Sequence, residues 1–224
     1  MKKLLISVLV LGLFSVAPME AQLSKEQQKQ RKEQVSQQRK ELNAKASKDA
    51  RKEAKKFRKE GWETTPGTLT LEKQLDRSMM MQMDVDQYGY PLYVMGEAMS
   101  IGENYDAAKM QALELAKQNL AGQIQTEITA LVENTVANKQ LAEEEAVSVT
   151  ESVLASKNLI SQSLGRVIPV VEVYRDLPNK NKEVLVRIAY NHDMAMEAAK
   201  KVIRKDLEEK GSKLHNQLDQ VLGW

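Results

Sequence analysis

The chain has 224 residues, with 33 Lys and Arg against 31 Asp and Glu, two His and no Cys. Without cysteine there is no disulfide framework, thiolate nucleophile, cysteine zinc site or lipidated N-terminal cysteine. His192 and His215 are the only histidines, which removes the raw material of most metallohydrolase and Ser-His-Asp sites, and an aromatic content of 4% argues against a base-stacking platform for nucleic acid.

Residues 1–21 read as a secretory signal peptide. Lys2 and Lys3 form a positive start, and Leu4 to Ala17 is an uncharged, mostly apolar run of 14 residues. Cleavage is expected after Ala21, although Met19 is larger than the small residue usual at that position. The run stops at Pro18-Met19-Glu20, short of the roughly 20 apolar residues of a membrane span. The expected location is therefore outside the cytoplasm, periplasmic or outer-membrane associated, with no lipid anchor.

Charge then divides the chain. Gln22 to Trp62 holds 14 Lys and Arg against 6 Asp and Glu, and Glu63 to Trp224 holds 17 against 24, so a basic arm of net +8 precedes an acidic body of net −7. The arm lacks Gly and Pro until Gly61 and is rich in helix-favouring Lys, Glu, Gln, Arg and Ala. Ser24 followed by Gln27 fits a capping box. Val35, Leu42, Ala46, Ala50, Ala54 and Phe57 make one sparse stripe, too thin for the sustained apolar positions of a coiled coil. The arm, 22–62, is expected to be a helix or a helix-prone disordered segment held away from any core. The sequence from Gly61 to Gly67 ends it.

The body, 63–224, begins with a helix over 69–83 that carries Met79, Met80, Met81 and Met83. Soft thioethers suit Cu(I), but no His or Cys lies nearby, and gap-filling or contact is the favoured role. Leu92 to Ile101 reads as a strand with Gly96, Ala98 and Ser100 on one face. Asn104 or Asp106 opens a long helix to about Lys139, with the stripe Leu113, Ala116, Leu120, Ile124, Ile128 and Leu131. Ala108, Ala112 and Ala116 repeat beside it, where the backbone can approach a sheet closely, so Gly96 and Ala98 read as packing positions. A second helix is expected over 142–163, its positive end facing Glu143, Glu144 and Glu145.

Arg166–Tyr174 and Lys182–Tyr190 form a hairpin around a Pro/Asn turn, with Pro169 at an edge or at the strand start. Asn191 or Asp193 caps a last helix over 193–221, with the stripe Ala199, Ile203, Leu207, Leu214, Leu218 and Val221 broken at Gly211. His192 reads as part of that cap. The fold class is α+β: a three-stranded antiparallel sheet packed by long helices, in the order α-β-α-α-β-β-α, preceded by the basic arm. A body of about 160 residues buries enough surface to fold without staples.

Tyr93-Val-Met-Gly96-Glu-Ala98, then Asp106-Ala107, Ala112, Ala116, Leu120-Ala121 and Ile124, then the late hairpin, resembles the Lpp-twenty-type bacterial envelope lipoproteins and the related N-terminal domain of the flagellar assembly protein T. The resemblance spans about residues 90–195. It implies an envelope assembly or structural component without catalysis and without catalytic residues to carry over. The lipidation cysteine of that family is missing here, so surface attachment is expected to be electrostatic or through a protein partner.

No phosphate-binding glycine loop, nucleophile elbow or zinc signature is present. No catalytic, cofactor-binding or metal-ligating residue is assigned, and no cofactor is expected. The expected function is a non-enzymatic exported envelope protein that acts as an assembly or interaction module. Its partner is an envelope protein or an anionic envelope surface met by the basic arm, with peripheral membrane contact and without nucleic acid. The alternative is a periplasmic ligand- or polymer-binding protein with a pocket between sheet and helices, lined by Tyr88, Tyr90, Tyr93 or Met95.

Overall fold

The computed structural model describes residues 44–137 and 143–210, with scattered residues between 26 and 40. The signal peptide, most of the arm before Ala44, and Gly211, Leu214, His215, Leu218 and Val221 lie outside the described residues. The chain divides into two compact units at Lys45, and the fold below belongs to the second.

A strand needs alternation and a helix needs a period near 3.6, and most elements follow those patterns. They are α1 (Lys48–Lys59), β1 (Glu63–Thr64), α2 (Leu71–Met83), β2 (Tyr93–Gly102), α3 (Tyr105–Ala137), α4 (Glu143–Ala155), α5 (Lys157–Ser163), β3 (Ile168–Asp176), β4 (Lys182–Asn191) and α6 (His192–Glu209). The sheet is antiparallel with the order β1-β3-β4-β2, four strands instead of the three expected. The fourth is β1, whose Glu63 and Thr64 pair with Tyr174 and Val173. Two residues cannot display a period, so β1 carried no signal among the turn residues around it.

β2 pairs with β4 without interruption from Tyr93↔Asn191 to Gly102↔Lys182. β3 and β4 form the hairpin expected, with a register shift between Pro169 and Val171 where the proline has no N–H to give the ladder. The hairpin turn is closed by Leu177 N–H donating to Asn181 O at 2.9 Å, and Lys180 there adopts a left-handed φ of 67°.

The two faces of the sheet are covered by different helices. On one face, Val94 of β2 and Val184, Val186, Ile188 and Tyr190 of β4 meet α3, α4, α5 and α6 in the main core. The α3 stripe falls as read: Ala108, Ala112, Ala116, Leu120, Ile124 and Ile128 are fully buried, and Leu113 and Leu131 pack partly against them. Asn104 Oδ1 accepts from Ala107 N–H at 2.9 Å and opens the helix. Gly96 sits beneath α3 so closely that an added Cβ would lie 2.3 Å from the Ala116 carbonyl oxygen. Gly102 is similarly close, with Ala108 N 2.7 Å from an added Cβ.

The helix expected over 142–163 is interrupted. Ser156 Oγ donates to the Ser152 carbonyl at 2.6 Å, and the chain turns there between α4 and α5. The ladder bonds persist across the turn, with Ser156 N–H donating to the Ser152 carbonyl at 3.1 Å and Ile160 N–H to the Ser156 carbonyl at 2.8 Å. α6 is capped by Asn191, whose Oδ1 accepts from Met194 N–H at 2.9 Å, so His192 is the first helical residue and not the cap.

On the second face, Ala46, Ala50, Ala54, Trp62, Leu71 and Leu75 cover Val171, Val173 and Leu185. This overturns the expectation that the basic segment stays away from any core. From Lys45 onward it belongs to the body, and α1 is a structural layer. The compact unit begins 18 residues before the charge boundary at Glu63 because small alanines, not large apolar residues, form the contact. A truncation that ends at Ala44 should therefore leave thermal melting of the body unchanged. One that ends at Glu60 uncovers Trp62 and Leu75 and should lower the midpoint by about 10 °C.

Glycine substitutions separate backbone contact from helix propensity. Gly96→Ala forces a methyl group onto the Ala116 backbone and should cost about 3 kcal/mol or more in denaturant unfolding. Gly122→Ala, inside α3, meets only the end of the Lys157 side chain at 3.4 Å and should stabilise by about 0.5–1 kcal/mol. Equal effects at both positions would mean that α3 does not lie on β2 as closely as described.

Candidate interaction surfaces

α1 is built from two opposed stripes. Ala50, Ala54 and Phe57, spaced by four and three residues, turn inward, and Ala46 just before the helix joins them. Lys48, Lys52, Lys55 and Lys59, spaced by four, three and four, lie on the opposite side. All seven basic residues of the helix, these four with Arg51, Lys56 and Arg58, are exposed. Its two acids are Asp49 and Glu53.

Most of these cations lack an anion. Arg58 forms a two-pronged bond to Glu72 of α2, at 2.5 and 2.7 Å, and holds that carboxyl below the usual carboxylate range. Arg51 Nε donates to the Ser47 carbonyl at 3.3 Å. Lys48, Lys52, Lys55, Lys56 and Lys59 have no carboxylate partner among the described residues.

The frame that holds the helix is specific. Ser47 Oγ caps it from Ala50 N–H at 3.2 Å, while Asp76 of α2 accepts from Ser47 N–H at 3.0 Å. At its far end, Phe57 and Trp62 stack obliquely with centroids 6.2 Å apart, and the Arg175 guanidinium lies 4.5 Å over the Trp62 ring. The basic stripe is thus presented from a fixed helix.

A second surface runs along the outer edge of β2. Leu92 O accepts from His192 N–H, so the even-numbered residues of β2 bond toward β4 and the odd-numbered ones turn outward. Two outward carbonyls are occupied by side chains of α3: Gln123 donates to Met95 O and Asn119 to Glu97 O, each at 2.8 Å. Beside them lies an open groove of about 610 Å³ lined by Met95, Glu97, Asn119, Gln123, Lys157 and Arg187. Arg187 within it is bound to Glu97 at 2.6 Å and to Ser78 Oγ at 2.9 Å.

Of the four residues expected to line a pocket, only Met95 reaches this groove. Tyr88 and Tyr90 are exposed on the loop between α2 and β2, where Asp86 Oδ1 accepts from both backbone N–H groups. The methionine cluster is divided as well: Met79 packs on the α1–α2 core, and Met80 and Met83 are exposed.

The other sheet edge is closed differently. β1 covers only Val173 and Tyr174 of β3, and the side chain of Gln74 takes over beyond it. Gln74 Oε1 accepts from Glu172 N–H at 2.8 Å, and its Nε2 donates to Leu69 O at 2.9 Å. Above it, Lys109 Nζ binds Glu172 at 2.9 Å, and the Tyr105 hydroxyl contacts both Glu172 and Thr65. Burial and the Glu172 carboxylate push the Tyr105 hydroxyl above its usual range, and hydrogen bonding to Glu172 raises Lys109. These groups satisfy one another and tie α3 to β3. His192 is occupied too, with Nε2 2.7 Å from Glu127 of α3.

Comparison with protein-family models, with curated proteins and with solved structures found no match.

Sequence reasoning missed the buried role of Gln74, which has no signal separate from the other glutamines. Its replacement tests the edge assignment. Gln74→Leu keeps the volume but leaves Glu172 N–H without its partner and Leu69 O with only the long contact from the Thr68 hydroxyl at 3.5 Å, and should cost about 2–4 kcal/mol in urea unfolding. A loss below about 0.5 kcal/mol would show that water serves that edge equally well.

Proposed function

We propose that the chain is a non-enzymatic exported envelope protein that works as an interaction module, and that α1 is its docking element for an anionic envelope surface. The observation that supports this best is the exposed stripe Lys48, Lys52, Lys55 and Lys59, which has no acidic partner on the described body and is held by an alanine seam behind it. The signal-peptide pattern of residues 1–21 and the resemblance of residues 90–195 to Lpp-twenty-type envelope proteins favour the same compartment and role.

Electrostatics explains why a helix serves better than loose charges. Four lysines at spacings of four, three and four form a row of about 16 Å. That row is already ordered, so less side-chain and backbone freedom is lost on contact than with a flexible arm. The attraction is exposed to solvent and is screened within about 10 Å at 0.1 M salt.

The ligand-binding alternative rests on the groove beside β2. Its polar and charged walls and open shape suit a hydrated ligand more than an apolar one.

Replacing Lys52, Lys55 and Lys59 with Gln tests the leading reading. The triple variant should melt within about 2 °C of the parent, because these side chains are exposed and unpaired. It should elute from an immobilised polyphosphate column at clearly lower salt. Unchanged elution would remove α1 from the binding surface.

A further inference from the structure

We infer that the anionic surface is a lipid bilayer, and that the docking face continues from α1 onto the uncovered part of the sheet. This rests on the reading of α1 as the docking helix and adds a second chemistry to it.

Residues opposite one another in an antiparallel pair point to the same face. Met99 stands opposite Leu185, and Ile101 opposite Glu183. Leu185 packs in the cluster of Ala46, Ala50 and Ala54, so Met99 and Ile101 share the sheet face that carries α1 and α2. Those two helices cover the β3 side of that face and leave β2 open: Met99 is 53% exposed and Ile101 51%. In the same helical layer, Met80 is 50% exposed and Met83 72%.

One side of the body therefore carries five unpaired lysines together with four open aliphatic or thioether side chains. An acidic protein or a phosphorylated glycan would engage the lysines and gain little from Met80, Met83, Met99 and Ile101. A bilayer with anionic lipid takes both: headgroup phosphates meet the lysines, and the apolar groups enter the headgroup–acyl boundary. Among the described residues no helix is long and apolar enough to cross a membrane, so the contact proposed is peripheral.

Co-sedimentation of the full chain with phosphatidylcholine vesicles, and with mixed phosphatidylcholine–phosphatidylglycerol vesicles, tests this. Binding is expected only to the mixed vesicles. Lys52→Gln and Lys55→Gln should each weaken it about fivefold. Met99→Ser combined with Ile101→Ser should weaken vesicle binding about tenfold and leave polyphosphate binding unchanged. Met80→Gln combined with Met83→Gln, at exposed helix positions where glutamine is well tolerated, should act in the same direction without loss of folding.

If both apolar pairs bind mixed vesicles as tightly as the parent while the lysine variants do not, the bilayer inference falls and the α1 reading stands. If the lysine variants also bind normally, both fall. Tight binding to neutral vesicles would likewise overturn the electrostatic part.

Discussion

The body rests on a close approach of two backbones at Gly96. An added Cβ at Gly96 would stand 2.3 Å from the Ala116 carbonyl oxygen and 3.0 Å from Leu120 Cβ, so β2 and α3 approach one another only because position 96 has no side chain. That approach fixes the height of α3 above β2 and β4. It places Leu120, Ile124 and Ile128 in the core. It also brings Asn119 and Gln123, one turn apart, over the strand's edge, where they meet Glu97 O and Met95 O. A larger residue at 96 would lift the helix and leave both carbonyls for another chain to pair with.

Amide side chains occupy part of both sheet edges. An unpaired strand edge invites further strands, and natural sheets blunt it. Here Asn119 and Gln123 serve β2, while β1, Pro169 and Gln74 serve β3. Glutamine and asparagine offer donor and acceptor together, so they satisfy a strand without extending the sheet.

Much of this arrangement was readable from the residues. The α3 stripe, the small residues beneath it, the β3–β4 hairpin and the Asn191 cap all follow from period, size and capping chemistry. β1 was not readable, because two residues hold no alternation and its pairing depends on β3, about 110 residues away. The turn at Ser156 was hidden because its hydroxyl bond to the i−4 carbonyl is the same one that Thr126 and Thr129 make inside the unbroken α3. The role of α1 was obscured for a different reason. Its buried residues are Ala50 and Ala54, with Ala46 just before it, and alanine counts for little in hydrophobic patterning against seven cations, although it permits close helix packing. The lysine stripe opposite was present in the same spacing. Reading the two together would have marked a docked helix instead of a loose arm.

The charge on α1 carries a cost that bears on its role. Lys48–Lys52, Lys52–Lys56 and Lys55–Lys59 are like-charged neighbours at i,i+4, and such pairs destabilise a helix by about 0.2–0.5 kcal/mol each. The alanine seam, the Ser47 cap and the Arg58–Glu72 pair hold the helix in place against that repulsion. Solubility alone is served as well by interspersed signs, which the body shows elsewhere, for example in Arg175–Glu183 and Lys109–Glu172. Salt screens that repulsion in part, and a polyanion of the kind proposed would offset it further. By linkage, binding of the kind proposed would hold α1 more firmly on the sheet than in the free protein.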